Sequence, residues 1–125
     1  MKQQRFSISK RLKSFKYAFN GLRILIKEEH NARIHLFAAI CVIIAGLFFN
    51  ISMNEWISVI FSIGLVFSLE IINSSIENIA DFISPERHEM IKKIKDLSAS
   101  GVLISAITAL IIGLIIFIPK ILKLC

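Results

Sequence analysis

The sequence predicts an all-α integral membrane fold, an N-terminal amphipathic interfacial helix followed by three transmembrane helices. Three observations predict it. Hydrophobic residues make up 55% of 125 residues against 19% charged, and mean hydropathy is +0.71, more apolar surface than a small soluble domain can hide. The apolar residues gather into three long segments, and the basic residues gather at particular ends of those segments. The length fits one membrane-embedded domain over residues 1–125, and the composition disfavours a cytosolic enzyme, a disordered tail or a disulfide-stapled module. Cys41 and Cys125 have no metal-ligand spacing and no convincing partner.

The first element is a helix over about residues 8–29. Leu12, Phe15, Phe19, Leu22 and Ile26 recur at three- and four-residue spacing, with Lys13, Lys16, Asn20, Arg23 and Lys27 mostly between them. The pattern fits an amphipathic helix in the inner membrane interface with its basic side toward headgroups; a soluble packing helix is the alternative. Three spans follow, at about 34–51, 56–83 and 97–118, the last apolar run stopping at Pro119. The second is charge-free only to Leu69, so it is long enough only if the helix continues past Glu70. Ser84-Pro85-Glu86 reads as a helix start, Ser84 as N-cap and Pro85 in the first turn. No cleavable signal peptide is expected, since the apolar run begins late and no small-residue cleavage site follows it.

Orientation follows from charge. Nine Lys/Arg precede or open the first span (Lys2, Arg5, Lys10, Arg11, Lys13, Lys16, Arg23, Lys27, Arg33), and Arg87, Lys92, Lys93 and Lys95 lie between the second and third. Asn50 to Glu55 carries none, and only Lys120 and Lys123 lie at the far end. The positive-inside rule puts the N-terminus and the second connection of this multi-pass protein in the cytoplasm, with Trp56 as an outer-interface anchor.

The acids are the most informative feature. Eight of nine fall on the predicted cytoplasmic side or in the inner part of a span. Glu70, Asn73, Ser74, Glu77 and Asp81 project from one stripe at about 100° per residue. Glu70 lies about 21 Å along the helix from Trp56, Glu77 about 31 Å and Asp81 about 37 Å. With a hydrocarbon core of about 30 Å, Glu70 is inside it and Glu77 near its boundary. Carboxylates suit Mg²⁺, which takes one or two of them plus substrate phosphates. One held in a low dielectric accepts a proton more readily. Such a ladder could join a lipid hydroxyl to a nucleotide phosphate; the alternative is a polar seam for helix association, which Asn73 and Ser74 alone would suit. Glu28 and Glu29 reach the same level before the first span, and Lys95 and Asp96 before the third. His30, His35 and His88 form no metal-ligand set and suit hydrogen bonding better than ligation. No phosphate-binding glycine loop, nucleophile elbow or zinc pattern is present.

The run Glu70-Ile-Ile-Asn73-Ser74-Ser-Ile-Glu77-Asn-Ile-Ala-Asp81, then Ser84-Pro-Glu86-Arg-His88-Glu, then Lys95-Asp96-Leu-Ser-Ala, resembles the prokaryotic diacylglycerol kinase family. Phe15 to Arg23 and Glu29 to His35 are also similar to it, and the resemblance covers nearly the whole chain. It implies a homotrimer that phosphorylates a membrane lipid hydroxyl with ATP and Mg²⁺, at sites where protomers meet. It implies Glu70 as the catalytic base and Glu29 and Glu77 as metal-binding carboxylates. Tyr17, Glu86, His88, Lys95 and Asp96 match ATP-contacting positions, and Asn73 and Asp81 match the polar stripe of the family motif. Ala99 stands where the enterobacterial type has a serine near the lipid, and Lys10 where it has arginine, which loses a bidentate fork. The run Glu29-x-Asn31-x-Arg33-x-His35 looks more like the undecaprenol kinase branch than the enterobacterial diacylglycerol kinase. The rival is a non-enzymatic proton-coupled transporter or assembly factor, which leaves the convergence of Glu28, Glu29, Lys95 and Asp96 without a reason. No nucleic-acid partner is expected, because the basic segment would then have to work against the membrane.

Overall fold

A computed structural model describes residues 7–86 and 88–125; Lys2, Arg5 and Arg87, three of the orientation-bearing cations, lie outside the described residues. Four helices follow one another: α1 (Ile8–Glu28), α2 (His30–Phe49), α3 (Met53–Ile83) and α4 (Glu89–Leu124). The last three are long and apolar enough to cross a membrane. At 1.5 Å per residue α2 spans about 30 Å, α3 about 46 Å and α4 about 54 Å. A hydrocarbon core of about 30 Å therefore leaves α3 and α4 overhanging it. The two are the most extensively packed pair.

Helix α1 buries only Leu25, while Ile8, Leu12, Phe15 and Phe19 stay exposed. An apolar stripe with no protein over it suits the headgroup boundary. Ser7 caps its start, the Lys10 N–H donating to Ser7 Oγ at 3.4 Å. Glu29 alone separates α1 from α2, in extended backbone (φ −102°, ψ 113°). Its N–H donates to the Leu25 carbonyl at 2.9 Å, closing α1, and its side chain makes no cap bond to α2.

The turn between α2 and α3 is built by local chemistry. Asn50 takes the left-handed conformation (φ 51°) that asparagine tolerates better than most residues, and ends α2. Ser52 and Glu55 form a reciprocal capping box at the start of α3: Glu55 N–H donates to Ser52 Oγ (3.2 Å) and Ser52 N–H to Glu55 Oε1 (2.9 Å). Lys120 Nζ donates to Glu55 Oε2 at 2.7 Å, tying the far end of α4 to the start of α3. Above this turn Ile51, Val59 and Ile116 form the apolar core, with Val42, Phe49, Trp56, Ile63, Ile112 and Phe117 against it. Trp56 is thus part-buried in packing, its indole facing Gly46, rather than simply resting in the interface.

Two expectations are corrected. Ser84 does not start a helix: its N–H bonds the Ala80 carbonyl at 2.9 Å and ends α3. Helix α4 begins at Glu89, where His88 Nδ1 accepts from the Met90 N–H at 3.1 Å. The imidazole supplies the capping acceptor, and Ser84 spends its hydroxyl on the Glu86 carbonyl (3.2 Å). Nor does the third helix stop at Pro119; α4 continues to Leu124. Proline removes one ladder donor near the helix end, and the Ile116 packing and the Lys120–Glu55 pair on either side hold the last turns in place.

Candidate active site

Helix α3 is unbroken through its acidic half, so its register is continuous from the apolar core to its C-terminal end. Val59, Ser62, Val66 and Glu70 are all buried and fall on one stripe by spacings of three and four. Asn73, Ser74 and Glu77 continue it half-buried, and Asp81 completes it exposed. The stripe is apolar above and acidic below, and Glu70, at 2% exposure, stands at the change. An apolar groove of about 440 Å³ runs between α2, α3 and α4 along the upper half, lined among others by Val42, Val59, Val66, Ile112 and Phe117. His35 also lines it, and His35 Nε2 stands 3.5 Å from Glu70 Oε1.

Helix α2 and the single residue before it each bring one side chain to this stripe. His35 is one; the other is Glu29, whose Oε1 accepts from Ser74 Oγ at 3.0 Å. The extended backbone at Glu29 turns its carboxylate toward α3, where an N-cap role would have folded it back over α2. The N-terminal end of α2, with its positive dipole end, is a favourable place for such an anion. Glu70 Oε1 and Asn73 Oδ1 are buried without a hydrogen-bond partner, a costly state for two neighbouring polar atoms on one stripe unless they serve a ligand.

Farther down, Lys95 of α4 donates to Asp81 of α3 at 2.5 Å. That hydrogen bond, helped by the charges of Asp81 and Glu77, holds the Lys95 ammonium above the usual lysine range despite partial desolvation. Asp96 turns the other way, accepting from Lys92 at 2.7 Å one helical turn back. Glu86 is exposed, and Tyr17 is 69% exposed on α1. Among the described residues, neither side chain makes a hydrogen bond or ion pair, and His88 Nδ1 is engaged in capping α4. The chain thus sets Glu70 with His35, Asn73, Ser74 with Glu29, Glu77, and Asp81 with Lys95 along successive turns of one stripe, and leaves Tyr17, Glu86, His88 and Asp96 apart from it.

Among the described residues no three His, Cys, Asp or Glu side chains group closely enough to hold a metal ion by themselves. Two carboxylates and an orphaned amide oxygen do fit Mg²⁺ that arrives with a nucleotide, since magnesium draws most of its shell from phosphates and water. His35 was expected only as a hydrogen-bonding group and not as part of this site; its signal was an imidazole at the start of an otherwise apolar segment.

A profile of the Prokaryotic diacylglycerol kinase family matches residues 16–117, taking in α2, α3 and the stripe. The chain belongs to this family. The undecaprenol kinase of Bacillus subtilis (strain 168) is 37% identical over 119 residues, covering 95% of this chain and 97% of that one. The diacylglycerol kinase of Synechocystis is 32% identical over 114 residues, 90% of this chain but 65% of that protein. That of Escherichia coli (strain K12) is 31% identical over 100 residues, 80% of this chain and 82% of that one. Membership in this family makes the chain a membrane lipid kinase.

Proposed function

We propose that the chain transfers the γ-phosphoryl group of ATP to the terminal hydroxyl of undecaprenol at the cytoplasmic face of the bacterial cell membrane. The observation that carries this is Glu70, sealed at 2% exposure where the buried stripe of α3 passes from apolar to acidic beside the groove. The isoprenoid chain lies along that groove, which brings its hydroxyl to Glu70. Glu70 takes the hydroxyl proton as the lipid oxygen bonds to the γ-phosphorus; the bond from that phosphorus to the bridging oxygen breaks, and ADP leaves. Glu29 and Glu77 would hold Mg²⁺, which when bound neutralises phosphate charge. Asn73 orients the phosphates, and Lys95 exchanges its Asp81 partner for phosphate oxygens. Tyr17, Glu86, His88 and Asp96 approach the nucleotide from α1 and the α3–α4 connection. The work of the protein is then mostly positioning and electrostatic stabilisation. The working form is a homotrimer of single-domain chains with cytoplasmic N-termini.

Diacylglycerol is the second acceptor to consider, because relatives at 31–32% identity are diacylglycerol kinases. Radiolabel transfer from ATP in mixed micelles, with undecaprenol and diacylglycerol offered separately and then in competition, tests the reading. Preferential labelling of undecaprenol is expected; labelling of diacylglycerol alone would reverse the choice of acceptor, and ATP-independent solute flux would replace the kinase with a transporter.

A further inference from the structure

We infer that His35 is a positioning residue for Glu70, an inference that rests on the lipid kinase reading and adds a role not contained in it. Three observations meet at this imidazole. Its Nε2 lies 3.5 Å from Glu70 Oε1, at ion-pair distance but without hydrogen-bond geometry. Glu70 Oε1 has no hydrogen-bond partner although it is buried. His35 also lines the apolar groove, so it stands between the path of the lipid chain and the carboxylate. A buried carboxylate with one free oxygen can rotate about its last torsion and present either oxygen, or neither, to an incoming hydroxyl. An Nε2–H donated to Oε1 removes that freedom. It leaves Oε2 as the acceptor for the lipid proton and supplies a donor to an atom that otherwise stays unsatisfied at a cost. Bonds of this kind are commonly long in the unliganded protein and tighten when the substrate closes the site. His35 is 23% exposed against 2% for Glu70, so it touches both the buried acid and the groove.

The test compares His35→Ala and His35→Gln in purified full-length protein, using the mixed-micelle transfer assay with undecaprenol and with diacylglycerol. Loss of orientation should lower kcat on the order of 100-fold, with KM for ATP and lipid nearly unchanged. Glutamine, which keeps an N–H donor at similar reach, should restore a large part of kcat. Near-normal kcat in His35→Ala overturns the inference, and so does equal impairment of both variants with a raised lipid KM, which marks a packing role. A second readout is independent of turnover. The ¹⁵N resonance of His35 Nε2 in labelled protein should move when Glu70→Gln is introduced, and an unmoved resonance overturns the inference. Should the wild-type protein phosphorylate neither alcohol, the kinase reading fails, while the resonance still decides the His35–Glu70 contact.

Discussion

An acid buried within a membrane helix costs roughly 2.5–3.5 kcal/mol on insertion scales, and Glu70 recovers little of that through hydrogen bonds. The proposed role as proton acceptor gives a reason for keeping it. Glu70→Gln is therefore expected to abolish lipid phosphorylation, read by radiolabel transfer, without lowering the thermal unfolding midpoint in detergent; a large drop in that midpoint would make the acid structural. Glycine carries the opposite kind of information at position 46. A methyl group there would stand 2.7 Å from Trp56 Cη2 and 3.1 Å from Ile51 Cδ1, inside contact distance of a rigid ring. Gly46→Ala should destabilise the protein by about 1–3 kcal/mol through overpacking, seen as a lower thermal midpoint. Gly113→Ala, which meets nothing within 4 Å inside α4, should not lower it and should raise it slightly through helix propensity. The identity of Glu70 as an expensive acid was legible from its place after a charge-free run. The roles of Gly46 and His35 were not, since each depends on what another helix places opposite it.

At the scale of the element, hydrophobic periodicity and run length were sufficient to recognise four helices, because a span and an amphipathic stripe are properties of consecutive residues. The errors fell at termini, where several local bonds compete. Ser84-Pro85-Glu86 has the composition of a helix start, but the last turn of α3 claims the Ser84 N–H and the His88 ring caps α4 instead. The capping box at Ser52 and Glu55 was readable as Ser-x-x-Glu ahead of an apolar run, and sequence reasoning passed over it. Ser52→Ala should cost about 0.5–2 kcal/mol, measured by denaturation in detergent. Glu55 also holds Lys120, and these two contacts together draw its carboxyl below the usual range.

Across the whole molecule, the proposed sidedness rests on charge patterning and the proposed site on packing. Lys120, which counts against the proposed orientation, is paired with Glu55; the thirteen basic residues on the other side still outnumber it and Lys123. In a Cys41→Ala background, a membrane-impermeant thiol reagent applied to intact cells should label exposed Cys125 from outside, while Ser9→Cys, with Cys125 also removed, should label only after permeabilisation. The reverse pattern would invert the topology. If the α3–α4 pair holds the nucleotide as proposed, Lys95→Met should raise the KM for ATP at least about tenfold, as loss of one charge-assisted contact of about 1.5 kcal/mol or more would, while Lys95→Arg retains part of the affinity. An unchanged KM in Lys95→Met would remove Lys95 from the nucleotide site. The chain's linear order was enough to determine that it is a membrane protein of four helices with its acids on one stripe, because burial in lipid selects residues by polarity and helical geometry repeats locally. Only the tertiary structure decided that Glu29 turns to Ser74, that Lys95 crosses to Asp81 and that His35 stands against Glu70. Those contacts join residues 45, 14 and 35 positions apart, and at such separations the approach of two side chains is set by how whole helices pack.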